Sequence, residues 1–254
     1  MKHQANCLLV GAGQLGSRYL QGLVGVQREL VVFVVEPSSA ALDLARQRLL
    51  EIPPSASVEV RLATSLDSIP HELDVAIVAT PAHCRPDIVL EMAASHKVNA
   101  WILEKLLAQS SHQLDQIVGR LEGHNQVWVN TPRRLMVWHK LIKDQLLKSG
   151  KSLKVRSSGG DWGLACNAIH FIDLVSWWTG SQVLNIDWQG LGGWKPSKRS
   201  GYMEAFGTLI VNYQNGSSLE LCCDQGNSNL QIEAVTPEGI WTIIEAEGKA
   251  IDPS

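Results

Sequence analysis

Residues 6–16 read Asn-Cys-Leu-Leu-Val-Gly-Ala-Gly-Gln-Leu-Gly, an apolar run that flows into the spacing G-x-G-x-x-G. That spacing alone is common, and its context makes it constraining. Gly11 permits a tight turn, Gly13 lets another group approach the main chain, and Gly16 lets a helix pack close to a strand. A helical pattern over residues 14–24 follows at once, so Gln14 and Leu15 sit where unpaired N–H groups and a partial positive charge suit phosphate oxygens. Glu36 stands twenty residues past Gly16, at the end of the next apolar run. A carboxylate there accepts hydrogen bonds from two ribose hydroxyls and repels a 2′-phosphate. The expectation is a dinucleotide site, with NAD preferred over NADP, although Ser38, Ser39 and Arg46 lie close enough in sequence to bear on that preference.

The rest of the first half repeats the same grammar. Apolar runs at 6–10, 30–35, 74–79, 98–103 and 126–130, with a weaker one at 58–60, alternate with helical patterns at 14–24, 38–50, 85–95 and 110–122. Continuous apolar runs suit strands buried on both faces of a parallel sheet. Pro53 and Pro54 end the second helix. A linking helix over 135–148, stopped near Gly150, leads into different grammar: a strand at 153–157, a helix at 167–178 closed by Gly180, then strands at 205–213, 217–224, 229–235 and 240–245. Asn215-Gly216 marks a hairpin, because such turns need positive φ. Pro237-Glu238-Gly239 marks another turn, and residues 195–201 read as a mobile loop. The fold class is therefore α/β, a doubly wound Rossmann sheet over residues 1–132 followed by an α+β part with a mainly antiparallel sheet over 133–254.

Composition excludes several classes. Net charge is −3, so no strong basic field exists to hold a nucleic acid. The polar residues 1–6 lack the order of a secretory signal, and no run reaches the roughly 18 apolar residues of a membrane span. The five cysteines show no C-x-x-C spacing, so a metal site is not expected and reduced thiols in a cytoplasmic protein are. Nine tryptophans against three phenylalanines are read mainly as core, with a few lining a pocket.

Asp74-Val-Ala-Ile-Val-Ala-Thr80-Pro81, a helix, and then Trp101-Ile-Leu-Glu104-Lys105 resemble the Gfo/Idh/MocA oxidoreductase family, named for glucose–fructose oxidoreductase and inositol dehydrogenase. Asn167-Ala-Ile-His170-Phe-Ile-Asp173-Leu resembles its second signature, and the closing strands resemble its C-terminal domain. The resemblance implies NAD(P)-dependent oxidation or reduction of a sugar, cyclitol or derivative. It adds Thr80, Pro81 and Glu104 to the cofactor contacts and implies pairing of subunits through the C-terminal sheet, as a homodimer or homotetramer. Three positions depart from the family pattern. Leu106 replaces a usual proline, Arg85 a common histidine, and Cys166 the aspartate four residues before the histidine.

The residue chemistry agrees with this. Lys105 lies past the carboxyl end of a parallel strand, where ligands of open sheets bind, and its cation suits a developing alkoxide. The other reading pairs it with Glu104 at the surface. His170 is the acid/base candidate, since a histidine side chain can move the alcohol proton either way; the other reading is a core histidine. Asn167, His170 and Asp173 share one helix face, with Trp177 continuing it. Arg133 and Arg134 either grip a substrate carboxylate or phosphate or make salt bridges. Asp161 and Trp162 either close the pocket or cap the helix. Catalytic candidates are thus Lys105 and His170, and substrate-binding candidates are Arg134, Trp162, Asn167 and Asp173. Two rival functions remain: a nucleotide-linked sugar as substrate, held by Arg133, Arg134, Lys198 and Arg199, or a dinucleotide-binding sensor or partner subunit with little chemistry.

Overall fold

The computed structural model describes residues 4–53, 55–124, 126–149, 152–199, 201–236 and 239–251. The expectations placed on Pro54, Gly150, Pro237 and Glu238 fall outside these. The chain divides into two compact units, Met1–Asn130 and Thr131–Ser254.

The first unit is a six-stranded, all-parallel sheet in the order β3-β2-β1-β4-β5-β6. Its strands are β1 (Ala5–Val10), β2 (Leu30–Val35), β3 (Val58–Ala63), β4 (Glu72–Val78), β5 (Lys97–Leu103) and β6 (Val127–Val129). Helices α1 (Gly16–Val24), α2 (Ser39–Leu50), α3 (Arg85–Ser95) and α4 (Ser111–Leu121) are the crossovers. Every residue of β2 is buried, as the uninterrupted run Leu-Val-Val-Phe-Val-Val requires of a strand covered on both faces. Ser38 and Ser110 cap α2 and α4 by accepting from Ala41 N and Gln113 N. The strand order reverses between β1 and β4, which opens the crevice at the carboxyl ends of the strands where ligands of such sheets bind.

The second unit joins an eight-stranded sheet, seven strands in the order β14-β13-β12-β7-β11-β10-β8 and β9 paired with β10, to two α-helices, α5 (Val137–Ser149) and α6 (Leu164–Thr179). The strands are β7 (Lys154–Gly160), β8 (Val183–Asp187), β9 (Leu191–Pro196), β10 (Met203–Tyr213), β11 (Ser218–Asp224), β12 (Gln231–Thr236), β13 (Gly239–Ile244) and β14 (Lys249–Ile251). Pairing is antiparallel except between β7 and β11, which run parallel. Alternation along β11 puts Leu219, Leu221 and Cys223 in the core with Phe171, Leu174 and Trp178 of α6, and leaves Glu220 and Cys222 on the other face. The turn between β10 and β11 uses Gly216 at φ +82°. Gly180 closes α6 at φ +63°. The segment read as a loop from Lys195 starts inside β9, because Lys195 and Pro196 pair with Glu204 and Met203. Tryptophan serves both roles: Trp101, Trp178 and Trp241 are buried, whereas Trp128, Trp188 and Trp194 are exposed. No disulfide joins the five cysteines, and no helix among the described residues is long and apolar enough to cross a membrane.

Candidate active site

The three glycines after β1 do three different jobs. Gly11 holds φ +91°, and a Cβ there would meet Ala79 and Thr80 at 3.1 Å. Gly16 sits so close to the turn that a Cβ would lie 1.8 Å from the Gly11 carbonyl oxygen. A Cβ on Gly13 would meet nothing within 4 Å. Its openness leaves the main chain accessible, which is what a pyrophosphate needs. Ser17 N donates to Gly13 O at 3.0 Å, so the helical turn begins within the glycine segment. Arg48 of α2 donates to Gln14 O at 2.6 Å and also reaches the Gln14 side chain and Ser17 Oγ, fixing the helix entry.

Glu36 binds the chain with both oxygens. Oε2 accepts from Ala12 N and Oε1 from Ser38 N, each at 2.9 Å. The carboxylate thus locks the glycine turn to the start of α2. Each oxygen has a further lone pair, enough for two hydroxyls. On the other side of the turn Thr80 is buried, and its Oγ1 has no hydrogen-bond partner among the described residues. An orphaned buried hydroxyl beside an open glycine, with a carboxylate across from it, fits a dinucleotide with ribose hydroxyls. Pro81 follows Thr80, and its carbonyl accepts from Arg85 N at 3.1 Å as α3 begins.

Glu104 directly follows β5 and is almost wholly buried, at 3% exposure. Its Oε1 accepts from Tyr19 OH at 2.5 Å and from Asn130 Nδ2 at 2.6 Å, while its Oε2 accepts from Lys105 N at 3.3 Å. Asn130 Nδ2 also reaches Tyr19 OH at 2.6 Å. Burial, then the Glu104 hydrogen bond and its charge, push the Tyr19 phenol far above its usual range, so it remains a donor. Lys105 follows, half-buried, and the Lys105–Leu106 peptide is cis. Arg85, 2% exposed, donates to the carbonyls of Thr80 and Leu106.

In the second unit the candidate residues gather around α6. His170 is half-buried on this helix. Asn167 donates through Nδ2 to Trp162 O at 2.8 Å, and Trp162 Nε1 donates to Cys222 O at 2.9 Å. Gly163, at φ +76°, offers no side-chain cap; the Glu204 carboxylate of β10 accepts instead from Cys166 N at 3.3 Å. Arg134 donates through Nε and Nη2 to the two carboxylate oxygens of Asp173. Arg133 likewise forks onto Glu245, at 2.9 and 2.6 Å, and lies over the Phe171 ring. His139 completes that cluster with Nε2 2.9 Å from Glu245 Oε1. Asp161 pairs with Lys195 at 2.8 Å and Lys198 at 3.8 Å. Among the described residues no group of three or more His, Cys, Asp or Glu is placed to hold a metal.

Sequence reasoning reached Gly11, Gly13, Gly16, Glu36, Thr80 and Glu104, which the first unit brings to one sheet edge. It missed Tyr19 as a partner of Glu104, and it missed Arg85 as a brace, Glu204 as a cap and Glu245 as the partner of Arg133. Only Tyr19 left a trace, as a phenol on the helix that the glycines open.

A family model described as an oxidoreductase family with an NAD-binding Rossmann fold, Gfo/Idh/MocA, matches residues 5–131. The chain belongs to this family, and its cofactor is NAD in the family's manner. No curated protein sequence matches it. Solved structures do. The myo-inositol dehydrogenase of Lactobacillus casei, in complex with NAD(H) and myo-inositol, is 18% identical, with 95% of this chain and 74% of that one aligned at a TM-score of 0.71. The myo-inositol 2-dehydrogenase of Lactobacillus plantarum is 20% identical, with 99% and 83% aligned at 0.70. The UDP-N-acetylglucosamine 3-dehydrogenase of Acidithiobacillus ferrooxidans is 16% identical, with 97% and 76% aligned at 0.68. At these identities the likeness is one of fold.

Proposed function

We propose that this oxidoreductase transfers a hydride between NAD and a hydroxyl or keto carbon of a sugar, a cyclitol or one of their derivatives. The observation that carries the reading is the carboxyl edge of the parallel sheet. It holds an open Gly13, the Glu36 carboxylate and the orphaned Thr80 hydroxyl at the switch point, and the sequence Glu104-Lys105 one strand on. Gly11 to Gly16, Glu36, Thr80 and Pro81 hold the cofactor. NAD supplies the hydride acceptor, or the donor in the reverse direction. Lys105 places a cation at the reacting oxygen as charge develops there. His170 takes the hydroxyl proton while the C–H bond gives up its hydride, so alcohol becomes ketone and imidazole becomes imidazolium. Asn167, Trp162, Arg134 and Asp173 shape the substrate side. In this reading residues 1–132 bind the cofactor and residues 133–254 bind the substrate and a second copy of the chain, giving a dimer or tetramer in the cytoplasm.

The pairing of the cations favours an uncharged substrate over a nucleotide-linked one. Arg133, Arg134 and Lys198 each already face a carboxylate, and Arg199 lies over the Tyr202 ring. A diphosphate would have to displace Glu245, Asp173 or Asp161 to gain these charges.

Fluorescence titration with NADH and, in parallel, NADPH tests the cofactor reading. NADH binds more tightly than NADPH, and Glu36→Ala weakens it and narrows the difference. Binding of neither removes the proposed reaction. Tight NADH binding with no turnover on any polyol supports a sensor instead.

A further inference from the structure

Glu104 and Arg85 are two buried, opposite charges on either side of one turn, and both act on its main chain. Glu104 accepts from Lys105 N, while Arg85 donates to Leu106 O. Arg85 also holds Thr80 O, so one guanidinium spans the turns after β4 and β5. Glu104 is held by Tyr19 of α1 and by Asn130 just past β6. The two charges are close enough to the same phenol to be felt there: Glu104 raises the Tyr19 pKa and Arg85 opposes it. Side chains from α1, α3 and the end of β6 therefore converge on Glu104 and Leu106, the two residues flanking Lys105.

We propose that Tyr19, Asn130 and Arg85 are positioning residues for Lys105, acting through the Glu104 carboxylate and the Leu106 carbonyl, and that Glu104 serves this frame rather than the cofactor. A buried carboxylate that already accepts three hydrogen bonds has little capacity left for a ligand. Arg is suited to the brace, since its rigid fork reaches two carbonyls at once; a lysine at position 85 reaches one. Tyr19 lies on the helix whose first turn faces the cofactor. The frame thereby links the cofactor turn to the lysine in one hydrogen-bonded chain. The proposal rests on Lys105 as the residue beside the reacting oxygen.

Competitive acetylation of the full chain with trace acetic anhydride, across neutral to alkaline pH, reads the reactivity of each lysine by mass spectrometry. Lys97, whose side chain is 66% exposed, is the internal reference. Tyr19→Phe keeps the ring and removes the donor; Arg85→Lys keeps the charge and removes the fork. In either variant the Lys105 rate relative to Lys97 rises about threefold or more as the turn loosens, and in Tyr19→Phe the NADH affinity stays within about twofold of the parent. A variant that fails to fold changes every lysine together, and the other then gives the answer. An unchanged Lys105 ratio in a folded variant, with NADH affinity weakened about tenfold, overturns the proposal and makes Glu104 a cofactor contact. Full turnover in Lys105→Met, alongside a raised Lys105 acetylation rate in Tyr19→Phe or Arg85→Lys, removes the catalytic reading of Lys105 and leaves the frame standing.

Discussion

Gly13 and Gly16 stand three residues apart and ask for opposite tests. A methyl on Gly16 would run into the Gly11 backbone at 1.8 Å, and neither side can yield without opening the turn. Gly16→Ala should cost about 3 kcal/mol or more, read as a lower Tm, and abolish NADH binding with it. A methyl on Gly13 meets open space. Gly13→Ala should keep the parent Tm yet weaken NADH about tenfold or more, because the space it fills is where the pyrophosphate approaches. Parent affinity in Gly13→Ala would mean that the cofactor does not lie across this turn. Lys105→Met should leave NADH binding nearly intact and lower turnover about a hundredfold, the scale of losing one oriented charge at the transition state. The role of Gly16 is legible from spacing because the atoms that crowd it belong to Gly11, five residues away. Tyr19, 85 residues from Glu104 and 111 from Asn130, is not, since nothing local announces which distant carboxylate will meet its hydroxyl.

Among the elements, the parallel strands were the easiest to read. β2 spans Leu30–Val35 and α3 spans Arg85–Ser95, the bounds that the apolar run and the helical pattern imply. β8 and β9 left no such signal. Their residues are half-buried or exposed, Gly192 and Gly193 interrupt β9, and each is held in place by pairing with β10. α6 starts three residues before the helical pattern in the sequence, where no local side chain caps it and a carboxylate from β10 accepts from Cys166 N. The sequence leaves the arginine pair after β6 between ligand grip and salt bridge. The carboxylates that the two arginines meet, Glu245 and Asp173, stand 112 and 39 residues away. Glu245 ties the turn after β13 to α5 and to Arg133. Burial alone would raise its pKa, but the bonds from His139 and Arg133 outweigh it and hold the carboxyl below its usual 4.5. A carboxyl depressed in the folded state stabilises above its unfolded value and loses that contribution as pH falls through the folded one. Glu245→Gln should therefore destabilise the protein by about 3 kcal/mol at neutral pH, leaving Arg133 buried without its counter-charge. Thermal melts should show that gap closing as pH falls below 4.5. A gap that stays constant into acid would mean that the ion pair contributes nothing beyond packing.

At the scale of the whole chain, the sequence showed two grammars and the structure shows two compact units, but the pairing within the second could not be read. A parallel contact between β7 and β11, inside a sheet otherwise antiparallel, joins segments more than 60 residues apart in sequence. That sheet also raises the question of association. Its core face meets α6, while the opposite face carries Phe206, Thr208 and Ile210 of β10, Glu220 and Cys222 of β11, Val235 of β12 and Ile240 of β13. Ile210, Val235 and Ile240 are exposed on it. Scattered exposed apolar residues are ordinary, but several on one broad face mark a surface that gains by being covered. A self-complementary contact there is isologous, so each apolar side chain counts twice and a single charge introduced at the centre is opposed by its own copy. Light scattering coupled to gel filtration should give a dimer or larger species at micromolar concentration, and Ile210→Glu should shift it toward monomer without lowering the NADH affinity of the first unit. A parent chain that is monomeric across that range would leave this face solvated and remove the proposed assembly.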